Sequence, residues 1–438
     1  MKRLLAFLLA LILIVGFAAC RSGGTETPPG QTPGGAPEPP PDERPILRIG
    51  VPYTAGSTWA ADQRNAMQLW LDSRNWEIGP YDIELIFVDD EGSVETALTR
   101  ARLLVEVEDV HLIFGGYDTD IVYAIAEYAI PAGIPFITPS VTGDDLTQRR
   151  RHELVIRTGG SASQGSHLLG YWAFEQGFRR IATVSMDDTF GHESVAGFRR
   201  TFEDAGGDII AQVWTQADAP DLVPFLDQIP AEIDALFIQY ANQDALRILD
   251  AIYSMGFDVP ILAGSTTIDA SILSELSREA ALNYPHGIFS VQTWLETSTD
   301  PQTRAFADAF YARFGHRASA AAMEAYAGLT IIEAAILETD GFIGNYSAFL
   351  RAVRSLEVQT PKGSVRIDFW NNPLQDYHIS RITKGADGEL YKQHVYTFPM
   401  VSQFWQYDPS EFLALPSYSR DFTTAEHNRR REEMRAGR

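Results

Sequence analysis

The stretch FITPSVTGDD, residues 136–145, carries the pattern on which the fold prediction rests. A short apolar run, residues 134–138, leads straight into a proline, two hydroxyl side chains and a glycine. This composition is typical of a buried strand that ends in a turn. Three roles are open for Ser140 and Thr142: a nucleophile, a phosphate cradle, or a set of fixed hydrogen-bond donors for a small solute.

The same pattern, a short apolar run followed by turn residues, recurs along the chain from Ile46 onward. The runs that we predict as strands are ILRIGV (46–51), IELIFV (83–88), HLIFGG (111–116), IPFIT (134–138), IATVSM (181–186), DALFIQ (234–239) and VPILAG (259–264). Their spacing leaves room for a helix between successive strands. An α/β fold with right-handed crossovers and parallel sheets is therefore predicted.

The segments between these runs have the period of amphipathic helices. Shared helix faces are predicted for Val94, Leu98, Ala101 and Val105, and for Val195, Phe198 and Phe202. Gly177 and Gly206 stand where glycine commonly ends a helix.

The alternation of strands and helices restarts after RTGGSAS, residues 157–163. We therefore predict two lobes, each a doubly wound parallel sheet. Ligands of open α/β sheets bind at the carboxyl ends of the strands, so two facing edges would enclose a cleft. An alanine-rich helix, residues 318–336, follows both units. It does not fit as the next crossover helix of either sheet. The chain is expected to cross back between the lobes there.

The charge balance is acidic, with 35 Lys plus Arg against 58 Asp plus Glu in 438 residues and a formal net charge of −23. A phosphate backbone would be repelled at long range, so a nucleic-acid partner is not expected. Cys20 is the single cysteine, which excludes an intrachain disulfide and a thiolate cluster.

The first twenty residues have the layout of a secretory signal. Lys2 and Arg3 precede an apolar run, residues 4–19, which is shorter than the roughly 20 residues of a spanning helix. Small residues directly before Cys20 resemble a bacterial lipobox, with Phe17 where leucine is usual. We predict a signal peptide over 1–19, lipidation of Cys20, and a Pro/Gly-rich linker within 20–45. A cleaved signal with an incidental cysteine and an uncleaved anchor remain alternatives.

Five stretches together resemble a known family. They are IRTGGSASQGSHLLGYW (156–172), MDDTFGHESVAGF (186–198), AGIPFITPSVTGDDLT (132–147), GSVRIDFWNNPLQDYHISRI (363–382) and PSYSRDF (416–422). In order and spacing they resemble the type I periplasmic solute-binding proteins, in the branched-chain amino acid and amide group that feeds ATP-driven importers. The similarity extends from Leu47 to about Phe422.

The resemblance implies two lobes joined by three crossovers, near residues 160, 288 and 365. Lobe 1 would hold residues 47–160 plus 289–365, and lobe 2 residues 161–288 plus 366–422. Residues 423–438 would form a polar tail, either a short exposed helix or disordered.

The resemblance also implies ligand-binding positions on loops that follow strands. They are Trp59, Tyr117, Asp118, Thr119, Ser140, Thr142, Phe190, Tyr240, Asn242 and Thr266. Fixed hydroxyls and amides at helix N-termini suit a small anion or carbonyl group. The alternative for Ser140 and Thr142 is helix capping, and Tyr240 and Asn242 could equally be surface or packing residues.

Thr266 marks a departure from the family pattern. Branched-chain amino acid binders have an acidic residue there that takes the ligand's ammonium group, and a buried ammonium without a carboxylate is costly. Either an aspartate among Asp118, Asp120, Asp187 and Asp188 substitutes, or the ligand has no ammonium. Two kinds of ligand therefore remain possible: an amino acid, or an amide, urea-like or carboxylic acid compound.

The sequence contains no GxxxxGK[ST], HExxH, GxSxG or CxxC motif. We therefore expect no enzyme, no cofactor and no metal site. The predicted function is a monomeric, lipid-anchored solute receptor at the cell envelope that delivers an amino acid or a small amide or carboxylate to an ABC permease. A sensing module that signals through a partner protein and a hydrolase are the alternatives.

Overall fold

In the computed structural model of the chain, residues 44–217, 219–276, 287–339, 341–342 and 344–436 are described. The predicted signal peptide, the lipidation of Cys20 and nearly all of the predicted linker lie outside these residues. So do the last two residues of the predicted polar tail.

The first sheet is built from the strands of the amino-terminal third of the chain. The strands up to residue 161 are β1 Ile46–Tyr53, β2 Glu77–Ile78, β3 Tyr81–Asp89, β4 Leu112–Phe114, β5 Phe136–Thr138, β6 Val141–Thr142, β7 Val155–Arg157 and β8 Gly160–Ser161. Six of them form a sheet in the order β2-β3-β1-β4-β5-β7, and β6 pairs separately with β8. All neighbours in the six-stranded sheet are parallel except β2 and β3.

The second sheet begins with β9 and is parallel over its first five strands. Its strands are β9 Arg180–Met186, β10 Asp208–Thr215, β11 Ala235–Gln239, β12 Ile261–Ala263, β13 Ile288–Gln292, β14 Glu357–Thr360, β15 Gly363–Ile367, β16 Pro373–Lys384 and β17 Leu390–Val401. The order is β10-β9-β11-β12-β13-β16-β15-β14, with β17 beside β16. The strands from β14 onward pair antiparallel.

Helices cover the faces of both sheets. They are α1 Thr58–Asp72, α2 Val94–Glu106, α3 Thr119–Ala132, α4 Ala162–Glu175, α5 Thr189–Asp204, α6 Val223–Leu226, α7 Asn242–Ser254, α8 Ala270–Glu275, α9 Pro301–Phe314, α10 Ala320–Glu338, α11 Tyr346–Ser355, α12 Pro409–Ala414 and α13 Thr424–Ala436. A single turn of 3-10 helix, Asp144–Leu146, follows β6.

The chain returns to the first lobe after β13. One hydrophobic core joins Leu47, Trp70 and Phe114 with Phe310 and Ile332, which lie on α9 and α10. Helix α10 is long and apolar enough to cross a membrane, but 67% of that stretch is buried inside the protein, as expected for a core helix. Separate cores pack on the second sheet.

The predicted α/β fold with parallel sheets is confirmed, and each predicted strand overlaps an observed one. Gly177 and Gly206 follow α4 and α5 with left-handed backbone angles, φ +95° and +109°. The predicted face of α2 differs in part. Val94 in its first turn is 42% exposed, while the buried residues are Ala97, Ala101 and Leu104. Their spacing of four and three defines the inward stripe.

Candidate functional site

A cavity of about 430 Å³ lies where the carboxyl ends of the central strands of both sheets meet. From the first lobe it is lined by residues that follow β1, β4 and β5, namely Trp59, Tyr117, Asp118, Thr119, Asp120 and Val141. From the second lobe it is lined by residues at the ends of β9, β11 and β12, namely Met186, Asp188–Gly191, Gln239–Asp244, Arg247 and Thr266. Its volume is in the range of small-molecule sites.

Most of the site residues expected from the sequence are brought together in this lining. Trp59, Tyr117, Asp118 and Thr119 lie on the first-lobe side, and Phe190, Tyr240, Asn242 and Thr266 on the second-lobe side. Ser140 and Thr142 are not part of the lining, whereas Val141 between them is. Successive side chains of an extended segment point to opposite sides, so the exposure of Val141 to the cavity turns its two neighbours away.

Ser140 and Thr142 are buried in the first lobe. Ser140 Oγ accepts a hydrogen bond of 2.8 Å from Gln63 Nε2 on α1, and the Thr142 hydroxyl has no hydrogen-bond partner among the described residues. Hydrogen bonds to backbone groups hold the loop that contains these two residues. Thr119 Oγ1 accepts from the Gly143 N–H at 3.1 Å, and Arg157 donates to the Thr142 carbonyl at 2.8 Å.

Four helices begin at the cavity, because each follows a strand whose carboxyl end faces it. Asp118 Oδ1 caps α3 by accepting from the Asp120 and Ile121 N–H groups, both at 3.0 Å. Asp188 Oδ1 caps α5 by accepting from the Gly191 N–H at 2.6 Å. Ser57 caps α1, while α7 has no side-chain cap. The two carboxylate caps place negative charge at the rim of each lobe.

The aspartates from the two lobes affect one another. Partial loss of solvent raises the pKa of Asp188, and the negative charges of Asp118 and Asp120 across the cleft add to the rise. Loss of solvent also raises the pKa of Asp118, with Asp120 adding to the rise. Thr189 Oγ1 donates to Asp120 Oδ1 at 3.4 Å, so the lobes touch at the cavity edge.

Arg247 is a cationic side chain in the lining, and each of its two terminal nitrogens donates a hydrogen bond. It forms an ion pair with Asp244 Oδ1 at 2.8 Å, one helical turn away, and donates to the carbonyl of Ala219. The charges of Arg247 and Asp244 therefore largely compensate each other inside the second lobe.

A polar network at the floor of the cavity fixes the orientation of Gln239. Thr266 Oγ1 donates its single hydrogen to the Tyr240 carbonyl at 2.8 Å, so it must accept from Gln239 Nε2 at 2.5 Å. Gln239 is 1% exposed, and its Oε1 has no hydrogen-bond partner among the described residues. This oxygen lies beside Gly264, in the space that a side chain there would fill.

Asn242 has a left-handed backbone, with φ +53°, at the point where α7 begins. Asparagine tolerates this region better than most residues, and such conformations cluster at functional sites. Its Oδ1 is also buried without a partner among the described residues.

Aromatic rings supply much of the cavity wall: Trp59, Tyr117, Phe190 and Tyr240. The Tyr240 hydroxyl lies 2.9 Å from Thr215 Oγ1, and burial raises the pKa of this phenol. Trp59 Nε1 has no acceptor among the described residues. Phe190 has no hydroxyl, so its part of the wall offers only a ring.

Sequence reasoning did not select Gln239 or Arg247 as site residues. Gln239 is the polar last residue of an otherwise apolar strand. A polar side chain at this end of a parallel strand could have indicated a ligand-binding residue. Arg247 lies within α7, where its spacing from Asp244 predicts only a helix-surface ion pair. No group of three or more His, Cys, Asp or Glu side chains suited to a metal ion occurs in the part of the chain that the structure describes.

A family model described as a periplasmic binding protein matches residues 48–388. A curated relative, a Leu/Ile/Val-binding protein homolog of Brucella suis biovar 1, is 20% identical over 365 residues. That alignment covers 81% of this chain and 92% of the relative.

Solved structures share the fold. The ABC transporter substrate-binding protein from Sphaerobacter thermophilus is 28% identical with a TM-score of 0.76, covering 82% of this chain and 99% of that chain. A solute binding protein of an ABC transporter from Rhodopseudomonas palustris BisB5, in complex with 3,4-dihydroxybenzoic acid, is 23% identical. Its TM-score is 0.76, covering 82% of this chain and 98% of that one.

Proposed function

This chain belongs to the type I periplasmic binding proteins of the branched-chain amino acid group, and from that premise we propose that it captures one small solute between its lobes and delivers it to an ABC permease. The solute is released chemically unchanged.

The observation that carries this proposal is the convergence of both lobes on one cavity. Tyr117 and Thr119 come from the first lobe, and Phe190 and Tyr240 from the second. A solute that contacts both sides stabilises the closed arrangement, because each contact across the cleft is lost on opening. The permease can then recognise the closed form.

The proposed site keeps all ten residues expected from the sequence, with two kinds of role. Trp59, Tyr117, Asp118, Thr119, Phe190, Tyr240, Asn242 and Thr266 contact the solute. Ser140 and Thr142 act indirectly: Ser140 fixes α1 through Gln63, and Thr142 belongs to the loop that presents Val141.

The proposed location is outside the cytoplasmic membrane. Residues 1–19 direct export, Cys20 carries the lipid anchor, and the stretch up to residue 45 tethers a monomeric binding body. The relatives supply two ligand classes: the name of one refers to Leu, Ile and Val, and a solved structure contains a dihydroxybenzoate.

A thermal-shift screen of amino acids, amides, amines and small carboxylates tests the proposal. We expect at least one solute to raise the melting temperature, to bind with one-to-one stoichiometry in calorimetry, and to be recovered intact by mass spectrometry. Turnover of the bound solute would indicate a hydrolase. The absence of any saturable binding across the screen would contradict the proposed function.

A further inference from the structure

We propose that the solute is a small organic cation, an amine or ammonium compound with at least one N–H donor, and that binding requires no carboxylate on it. This inference rests on the proposed function and concerns the chemistry of the same cavity.

Carboxylates from both lobes face this cavity without an ion-pair partner among the described residues. Asp118 and Asp120 come from the first lobe and Asp188 from the second. None of the three takes part in an ion pair within the described residues. Burial raises the pKa of Asp188 and the charges of Asp118 and Asp120 add to the rise, while nearby His192, which is paired with Asp187, lowers it. The fourth carboxylate in the lining, Asp244, is paired with Arg247 at 2.8 Å. The uncompensated charge of the lining is therefore negative.

The helix N-termini at the cavity reduce this charge without reversing it. Each helix terminus contributes roughly half a positive charge, so α1, α3, α5 and α7 together offset about two of the three unpaired carboxylates. The Asp120 and Ile121 amides of α3 already donate to Asp118, and the Gly191 amide of α5 donates to Asp188. These donors are no longer available to an anionic ligand.

Among the described residues that line the cavity, three buried side-chain atoms have no hydrogen-bond partner: two acceptors, Gln239 Oε1 and Asn242 Oδ1, and one donor, Trp59 Nε1. The Gln239 side chain is 1% exposed, its orientation is fixed by the single hydrogen of Thr266, and its Oε1 lies beside Gly264, in the space that a side chain there would fill. A buried acceptor is satisfied by a group that donates a hydrogen bond. An ammonium group donates several hydrogen bonds, and a carboxylate donates none.

The aromatic wall suits the body of such a ligand. The faces of Trp59, Tyr117, Phe190 and Tyr240 attract cations through their ring quadrupoles and also accept apolar surface. The unpartnered Trp59 Nε1 can donate to one hydroxyl or carbonyl oxygen on the solute. Rings together with carboxylates are a combination that recognises organic cations.

Because the aspartates lie on both lobes, the charge of the ligand affects how readily the lobes close. In the empty protein, closure brings Asp188 toward Asp118 and Asp120, and like charges repel. A cation between them turns this repulsion into attraction on both sides, whereas an anion adds to it. The charge of the solute therefore selects which ligands favour the closed lobes.

Matched compounds with one apolar body and different charged groups provide the test. One series is leucine, 3-methylbutylamine and 4-methylpentanoate, and the other is phenylalanine, 2-phenylethylamine and 3-phenylpropanoate; benzylamine and benzoate complete the panel. Calorimetry should show that an amine binds at least as tightly as the matching amino acid, and that the matching acid binds at least tenfold more weakly.

Asp188→Asn and Asp118→Asn test the carboxylates directly, since asparagine caps a helix about as well as aspartate. Each should weaken binding of the amine at least tenfold while the melting temperature of the empty protein stays within a few degrees. Asp300→Asn is the matched control. It changes the cap of α9, which accepts from the Gln302 and Thr303 N–H groups away from the cavity, and should leave amine affinity unchanged.

Several results would overturn the inference. Tighter binding of a deaminated acid or benzoate than of its amine would do so and would leave the proposed function intact. The inference would also be overturned, with the proposed function intact, if only the amino acids bind or if no amine binds while another solute does. Full amine affinity in both Asn variants would have the same consequence. Failure of every compound in this panel and in the wider screen would overturn both the inference and the proposed function.

Discussion

The backbone N–H of Asp144 donates a hydrogen bond of 2.7 Å to Oε2 of Glu193, joining a loop of the first lobe to helix α5 of the second. Glu193 is 4% exposed, and Asp144 Oδ1 accepts a further bond of 3.0 Å from the Ser163 N–H. Burial raises the pKa of the Glu193 carboxyl well above its usual range, and the charge of Asp144 adds to the rise. The contact between the lobes therefore depends on a carboxyl group that resists ionisation.

Glu193→Gln should flatten the dependence of stability on pH. Because the pKa of Glu193 is raised on folding, the protonated form stabilises the fold fully below the usual glutamate pKa, and this stabilisation is lost as pH rises through the raised value. Glutamine keeps an acceptor for the Asp144 N–H and cannot ionise. We expect the variant to gain melting temperature relative to the wild type at pH 8, and to gain less at pH 5.

Differential scanning calorimetry at both pH values measures this effect. The groups that also bear on Glu193 are Asp144, Asp145 and Arg157, and all three stay unchanged in the variant. Glu175→Gln, at an exposed position on α4, is the control and should follow the wild type. Parallel melting curves for wild type and Glu193→Gln across pH would contradict the expected role of its ionisation.

A buried ion pair near the crossovers gives a second prediction. Lys362 forms an ion pair with Glu324 on α10 and donates to the Thr158 carbonyl at 3.0 Å, while Glu324 Oε1 accepts from Thr293 at 2.5 Å. Lys362→Met leaves a buried carboxylate without its cation, which costs about 3–5 kcal/mol. The melting temperature should fall by about 6–10 °C.

The double variant Lys362→Met with Glu324→Leu removes both charges and should recover at least half of that loss. The comparison of single and double variants by thermal melting measures the coupling between the two residues. Losses that simply add would mean that the pair is not coupled.

The loop after β5 gives a third prediction, which concerns binding. Thr142→Val should leave ligand affinity within about twofold and should not lower the melting temperature, because the buried hydroxyl that it removes has no partner among the described residues. Thr119→Val should weaken binding about fivefold, since it removes the acceptor of the Gly143 N–H at the cavity wall. Calorimetry of both variants with the same solute tests this, and a larger loss for Thr142→Val would reverse the assignment.

The strands were predictable because a buried parallel strand reads as a short, continuous apolar run between turn residues. The edge of the sheet at which ligand residues gather follows from the same pattern, and so Trp59, Thr119, Phe190 and Tyr240 could be expected near one another. The resemblance to a family added the prediction that the two lobes face each other across a cleft. The periodicity of the sequence does not predict how two lobes are arranged.

The direction of a side chain within a loop was not predictable in this way. The hydroxyls of Ser140 and Thr142 have the chemistry of ligand-binding groups, yet Val141 is the residue of this segment that lines the cavity. A shift of one residue in an extended segment exchanges the two faces. Gln239 was missed for a related reason. The orientation of its amide depends on the Thr266 hydroxyl donating to the Tyr240 carbonyl, and this hydrogen bond exists only in the folded protein.

The proposed function requires that the solute bind between the two lobes. Calorimetric titration of the wild type, Trp59→Ala and Trp76→Ala with one solute from the screen tests this directly, because Trp59 lines the cavity while Trp76 is 38% exposed and outside it. We predict one-to-one binding to the wild type, a loss of at least about tenfold in Trp59→Ala, and affinity within about twofold in Trp76→Ala. Equal affinity in all three proteins would contradict a ligand site between the lobes.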